Sequence, residues 1–231
     1  MNSSDLLSQF RAEMVDQSTP PLWSDDEFYT YLDAAQKKFC TLAFGISDSF
    51  NQDICRVEFA AGTEAVSIDA RILKIKGARH EDTGVKVDIL NFENLDSYNY
   101  TQPTSDYGMN PTFVLTNVPG PTIQALVTDM DPDLVRAVPI PSLTQSILLS
   151  VLRLPLNDID GPSQDLEIRR QHQYYLLYWV KHLALLKQDA ETFDKGRSDQ
   201  YGLMFRQYCD EAKAEQERRE YRPRTVSYGG I

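Results

Sequence analysis

Three histidines, three cysteines and an excess of carboxylates are the residues in this chain whose types could support covalent or metal chemistry. His172 and His182 stand ten positions apart, which on one helix turns them to different faces, so they cannot share a metal ligand set. His172 is better read as a packing or capping residue, and His80 lies far away in sequence. Cys40, Cys55 and Cys209 are odd in number and lack metal-like spacing, as expected for buried small hydrophobes in a reducing compartment. No H-E-x-x-H, C-x-x-C, G-x-S-x-G, P-loop or G-x-G-x-x-G pattern occurs. Asp189, Glu191 and Asp194 cluster, but as a solvated helix end, and no carboxylate pair is marked out for acid–base work. The expectation is no catalytic residue, no metal and no cofactor.

A second constellation suits docking. Arg218, Arg219, Arg222 and Arg224 gather in the last fourteen positions; with Glu220 these carry +3, while the whole chain of 231 residues carries −11. Thr225, Val226, Ser227 and Tyr228 can extend, and an extended segment can add to a sheet edge through main-chain hydrogen bonds. The alternative is a disordered, solvated tail. The acidic balance of the chain argues against general affinity for nucleic acid, because phosphate binding draws on Lys and Arg.

These residues must be positioned by helices at both ends. Ser24 and Glu27 form a capping-box pattern, with Trp23 before the cap and Phe28 four positions after it as a hydrophobic staple. The apolar stripe Phe28, Tyr31, Leu32, Ala35, Phe39, Leu42 predicts a helix stopping near Gly45. A shorter helix is expected over residues 4–16, with Ser4 as cap, ended by Thr19-Pro20-Pro21. The run Ser163 to Phe193 is apolar on several faces. One stripe passes through Ile168, His172, Tyr175, Trp179, Leu183 and Leu186; Tyr174, Leu177, Tyr178 and Leu185 cover another face. As one helix it would reach about 46 Å. The second face would then be packed by sister subunits. Gly196 stops this helix, and another follows with Tyr201, Met204, Phe205 and Tyr208 on one face.

Between the helical ends the period changes to two. Val66, Ile68, Ala70 and Ile72 alternate with polar residues, then Leu73 and Ile75 take over the apolar phase, which implies a bulge or a doubly covered strand. Val85–Ile89, Thr112–Val118, Thr122–Val127, Leu134–Ile140 and Ser146–Leu154 are further strands, punctuated by Pro119-Gly120-Pro121 and Asp131-Pro132-Asp133. Asn91 to Pro111 reads as a long exposed loop. The fold class is therefore α+β: a helical bundle from residues 1–54 and 162–220, an inserted small antiparallel β-sandwich or barrel over 55–161, and an extended C-terminal arm, 221–231.

The ordered set of these features resembles the head-to-tail adaptor (head-completion, or connector) proteins of tailed bacteriophages. Pro21-Leu22-Trp23-Ser24-Asp25-Asp26-Glu27-Phe28, followed by Tyr31-Leu32-Asp33-Ala34-Ala35-Gln36, matches that family's opening, with Phe28 in place of the usual Leu. His172, Leu176, Leu177, Lys187 to Asp194, Phe205 and Arg224 to Gly230 match its C-terminal half, and Val135 to Pro141 its middle strand. The stretch from about Val85 to Asp131 diverges. The resemblance implies a non-enzymatic virion protein of the neck. It would be a homo-oligomeric ring, commonly of about twelve copies, docked under the portal protein, with a tail or nozzle protein beneath and DNA passing without sequence-specific contact. C-terminal arms in that family reach into the neighbouring ring. The acidic first third (nine acids and three bases in residues 1–54) is a candidate channel wall. The alternatives are a tail-tube or baseplate subunit and a cell-wall-degrading virion enzyme. No apolar run approaches the ~20 residues of a membrane span, and the chain opens without a signal-peptide pattern, so synthesis is expected in a host cytoplasm.

Overall fold

The computed structural model describes residues 1–16, 18–91, 93, 119–131, 133–188 and 192–220. The chain is mixed α+β with a curled sheet. By its internal contacts it divides into two compact units, Met1–Ile46 with Pro155–Ile231, and Ser47–Leu154.

The first unit is helical. Helix α1 spans Ser3–Met14 and α2 spans Asp25–Leu42. A short turn α4 covers Arg170–Gln173, α5 covers Leu176–Ala184 and α6 covers Lys195–Glu220. Helix α2 packs on α1, α5 and α6, and α5 packs on α6. Its start is fixed locally. Ser24 accepts from the Glu27 N–H while the Glu27 carboxylate accepts from the Ser24 N–H, which satisfies two of the free donors at the helix start. Lys187 donates to the same carboxylate at 2.8 Å. That bond chiefly, against burial, holds Glu27 below the usual carboxylate range. Phe10 on α1 lies against both Trp23 and Phe28, at ring centroid distances of 5.5 and 5.2 Å, so the staple closes through a third ring.

Four expectations need correction here. The cap of α1 is Asn2, in a reciprocal box with Asp5, rather than Ser4. Gly196 does not stop a helix; it lies in the first turn of α6. The long helix over 163–193 does not form. Its first residues lie alongside the N-terminus instead: Asn2 bridges Asp165, and the Ser3 N–H donates to Gln164 O at 2.9 Å. The carbonyls of Leu166 and Ile168 accept from the Gln173 side chain, at 3.4 and 2.8 Å. Around Tyr174 and Tyr175 the bonds shorten to three-residue turns. At the other end the Ala184 carbonyl accepts from Trp23 Nε1 at 3.0 Å. What remains, α5, is nine residues, about 14 Å.

The fourth correction concerns the sheet. Its strands are β1 (Ile46–Asp48), β2 (Arg56–Phe59), β3 (Ala65–Ser67), β4 (Ile72–His80), β5 (Lys86–Leu90), β7 (Ala125–Val127), β8 (Leu134–Val138) and β10 (Gln145–Arg153); a helical turn α3, Gln52–Cys55, precedes β2. The spatial order is β1-β10-β4-β5-β7-β8-β3, with β2 also on β10. The pairing is not purely antiparallel, because β5 and β7 run parallel. So do β6 (Pro119–Gly120) and β9 (Ile140–Pro141). A period-two pattern names the faces of a strand but not its partner's direction. The connection between β5 and β7 exceeds the dozen residues that a parallel crossover needs. The register of β4 on β10 slips twice, around Lys76 and around Leu73, where the apolar phase of the sequence changes. The core of this unit includes Phe59, Val87, Leu126, Val135, Ile147, Leu149 and Val151, all buried.

Candidate interaction surfaces

The chemistry-bearing residues of the helical unit are folded inward. His172 is buried against Phe39 and Phe44. Its Nδ1 lies 2.8 Å from the Tyr208 hydroxyl and its Nε2 3.1 Å from the Gln171 amide nitrogen. The amide nitrogen only donates, so Nε2 accepts and Nδ1–H donates to Tyr208. Burial lowers the His172 pKa, which favours this neutral form, and burial raises that of Tyr208. Tyr175 stacks on Tyr208 with centroids 3.6 Å apart. This is a satisfied aromatic seam between α2, α4 and α6.

Sequence reasoning missed a second pair, Ser198 and His182, whose Oγ and Nδ1 are 2.9 Å apart. It has the composition of a nucleophile–base couple but the wrong hydrogen bonds. The Ser198 hydroxyl donates to the His182 carbonyl at 2.8 Å, and the ring Nδ1 also faces the Ser198 carbonyl at 3.0 Å. Nδ1 therefore carries the proton and the hydroxyl is already committed, so no base faces a free O–H. Ser198 is also fully buried. Among the described residues, no group of three or more His, Cys, Asp or Glu could hold a metal ion. The cysteines are buried and none is in a disulfide, and burial pushes the Cys209 thiol up to about 12.

The residues expected to pack sister subunits divide. Leu177 and Leu185 are buried inside the helical unit, at 1% and 3% exposure, and are filled by contacts within one copy. Tyr174 and Tyr178 are half-buried. The Tyr174 hydroxyl donates to Glu13 at 3.1 Å, and Lys181, itself buried, pairs with the same carboxylate. The Lys181 ammonium also stands 5.1 Å from the Tyr201 ring centre, a cation–π distance. The docking-arm residues Arg222, Arg224, Thr225, Val226, Ser227 and Tyr228 lie outside the described residues, as do Asp189, Glu191 and nearly all of the loop expected over 91–111.

Outward-facing apolar surface occurs in both units. On α6, Ser198, Gly202, Phe205, Cys209 and Ala212 face inward, while Leu203 and Met204 are 59% and 47% exposed on the outer side. No side chain described on α6 beyond Ala212 is buried. In the sheet unit Phe50 is 92% exposed on a turn pinned by Asp48, whose carboxylate accepts from the Phe50 and Asn51 N–H groups and from buried Arg153 at 2.7 Å. A cleft of about 330 Å³ opens between β4 and the β7–β8 turn, lined by Ile68, Leu73, Ile75, Ile89, Asp131 and Asp133 among others. Nothing in the sequence marks this cleft, because it arises from how strands pair rather than from a run of residues. No helix among the described residues is long and apolar enough to cross a membrane.

The family model described as SU10 adaptor protein matches residues 1–227. No curated protein matches the chain.

Proposed function

The chain belongs to the SU10 adaptor protein family of phage structural adaptors, and on that premise we propose that it forms the ring joining head to tail. Copies of the chain seat under the portal, extend the DNA channel and offer the surface to which a tail or nozzle protein attaches. The observation that carries this reading is the family match across nearly the whole length of the chain. It is supported by the inward commitment of His172, His182 and Ser198, which leaves these surfaces suited to docking rather than catalysis. The helices of the N- and C-terminal segments form the bundle of the protomer. The half-buried Tyr174 and Tyr178 and the outer face of α6 at Leu203 and Met204 are the side chains offered to neighbours.

Heterologous contacts of this kind close into a ring when the rotation between copies closes. Twelve is the copy number that the family resemblance implies. The net charge of −11 suits a wall along which phosphates find no row of cations to hold them. The arm, Arg222 to Tyr228, makes the contact with an adjoining protein. Native mass spectrometry and negative-stain imaging with and without assembled portal test the reading. A closed ring of this chain on the portal is the expected result; monomers alone, with portal rings present and intact, would overturn it.

A further inference from the structure

The register of the sheet lines up charge on its outward side. Arg56 on β2 lies opposite Leu148 on β10, Leu148 opposite Arg79 on β4, and Arg79 opposite Lys86 on β5. The adjacent pairs, Val57 with Ile147 and Ala78 with Val87, are buried. The row therefore points the other way, and all four of its side chains are exposed. Like charges directly opposite each other across an antiparallel pair destabilise it, yet Arg79 faces Lys86. Lys86 is compensated by Asp88 at 2.9 Å, and Arg56 by Glu81 at 2.8 Å. Arg79 is not. Among the described residues it makes one hydrogen bond, to the Gly84 carbonyl at 3.4 Å, and no ion pair.

The outer side of α6 has the reverse composition. Leu203 is exposed there with the carboxylates of Asp199, Asp210 and Glu211, away from buried Phe205 and Cys209. None of these three carboxylates is in an ion pair among the described residues. The two faces also match in length. Three strand spacings separate Arg56 from Lys86, about 14 Å. Eleven helical residues separate Asp199 from Asp210, about 16 Å. A helix laid across the strands would set Asp199 by Arg56 and Leu203 over Leu148. Asp210 and Glu211 would then meet Arg79 and Lys86. A channel wall that lets DNA slide has no use for a row of cations, so in a ring this row belongs against protein.

Resting on the ring reading above, we propose that the outward row of the sheet unit receives the outer face of α6 from a second copy of this chain. This contact is the seam between neighbours in the ring. Two different surfaces of one chain meet in it, so it is heterologous and passes from copy to copy.

Charge exchange in the full chain, with portal rings present and assembled rings counted by negative stain, tests the seam. Arg79→Glu with Lys86→Glu makes the sheet row acidic. Asp210→Lys with Glu211→Lys makes the helix face basic. Each double variant alone is expected to give at least tenfold fewer rings than the parent. An equimolar mixture of the two should restore them, because opposite charges then meet at every seam of an alternating ring. Thermal unfolding at the parent's midpoint shows that the variants are folded. Rings from either variant alone at the parent's level, or folded variants that fail to complement, would overturn the inference and leave the ring reading standing. A chain bearing Leu148→Cys and Leu203→Cys, oxidised with diamide, decides the contact where a charge variant does not fold or the parent forms no ring. The three native thiols are buried. Disulfide-linked multimers, absent with either new cysteine alone, would support the seam even if the ring reading fell. No linkage, or linkage only within one copy, would overturn it.

Discussion

Gly202 on α6 faces His182 on α5 so closely that a Cβ at position 202 would lie 3.1 Å from the ring Nδ1. The ring has little room to retreat. It is tied to Ser198 on one side and lies 4.7 Å, centre to centre, from Trp179. Alanine would gain roughly 1 kcal/mol of helix propensity over glycine, but crowding a packed site costs about 1–3 kcal/mol. Gly202→Ala is therefore expected to lower stability by about 1 kcal/mol and Gly202→Val by more, in urea denaturation. A rise in stability for the alanine variant would show that the helices are free to part.

Asp48 and Arg153 should make the sheet unit acid-sensitive. Burial by itself would raise the Asp48 carboxyl, yet the Phe50 and Asn51 N–H groups and the Arg153 guanidinium outweigh it and hold it down to about 2. The folded pKa is thus below the unfolded one, near 3.8. The stabilisation is complete above pH 4 and disappears as pH falls from 4 toward 2, about 2 kcal/mol in all. Arg153→Met should remove much of this acid dependence while costing about 3 kcal/mol at neutral pH. Unfolding curves between pH 2 and 7 read both effects, and an unchanged slope in the variant would count against the pair.

His172 gives the same sign at a higher pH. Burial depresses its pKa below the ordinary 6.5, so the unfolded chain takes up the proton first. The neutral histidine imposes no penalty above pH 6.5, and stability declines as pH falls below it, by up to about 1.4 kcal/mol per pH unit. The neighbouring Glu215 favours the proton, and Arg169 and Arg219 oppose it. His172→Gln should flatten the profile between pH 6.5 and 5, measured as the denaturation midpoint across that range. A profile as steep as the parent's would place the sensitivity elsewhere.

Lys181 depends on Glu13 for its charge partner. Glu13→Gln leaves a buried ammonium facing a neutral amide and should cost about 3 kcal/mol, whereas adding Lys181→Met should recover most of that loss. Thermal unfolding of the two single variants and the double variant measures the coupling. Simple additivity would mean that the lysine finds water or another carboxylate.

What the sequence could disclose follows from how far each element's cause extends. The start of α2 was readable because its signal is local: Ser24, Glu27 and the acids after Ser24 need no information from elsewhere. The change of apolar phase near Leu73 was readable for the same reason, although the alternation from Val66 to Ile72 is not one strand: it leaves β3 after Ser67 and reaches β4 only at Ile72. The run from Ser163 to Phe193 was misleading because its apolar pattern is real but its backbone partners are distant. Residues 2 and 3 engage the start of the run, and the Trp23 indole takes up the Ala184 carbonyl, both far away along the chain. Periodicity reports which faces want burial, not whether one uninterrupted helix supplies them. The cleft beside β4 was invisible for a related reason, since β5 gives up its pairing with β4 to run along β7, and no residue type in either strand announces that exchange.

The three buried cysteines turn the folded chain into its own stopwatch. Cys40 and Cys209 belong to the helical unit and Cys55 to the sheet unit. Alkylating reagents in water therefore reach each thiol only when the surrounding structure opens. The rate at which each site is modified, read by peptide mass, clocks the opening of one unit independently of the other, and slowing of that rate on assembly would reveal which unit is clamped.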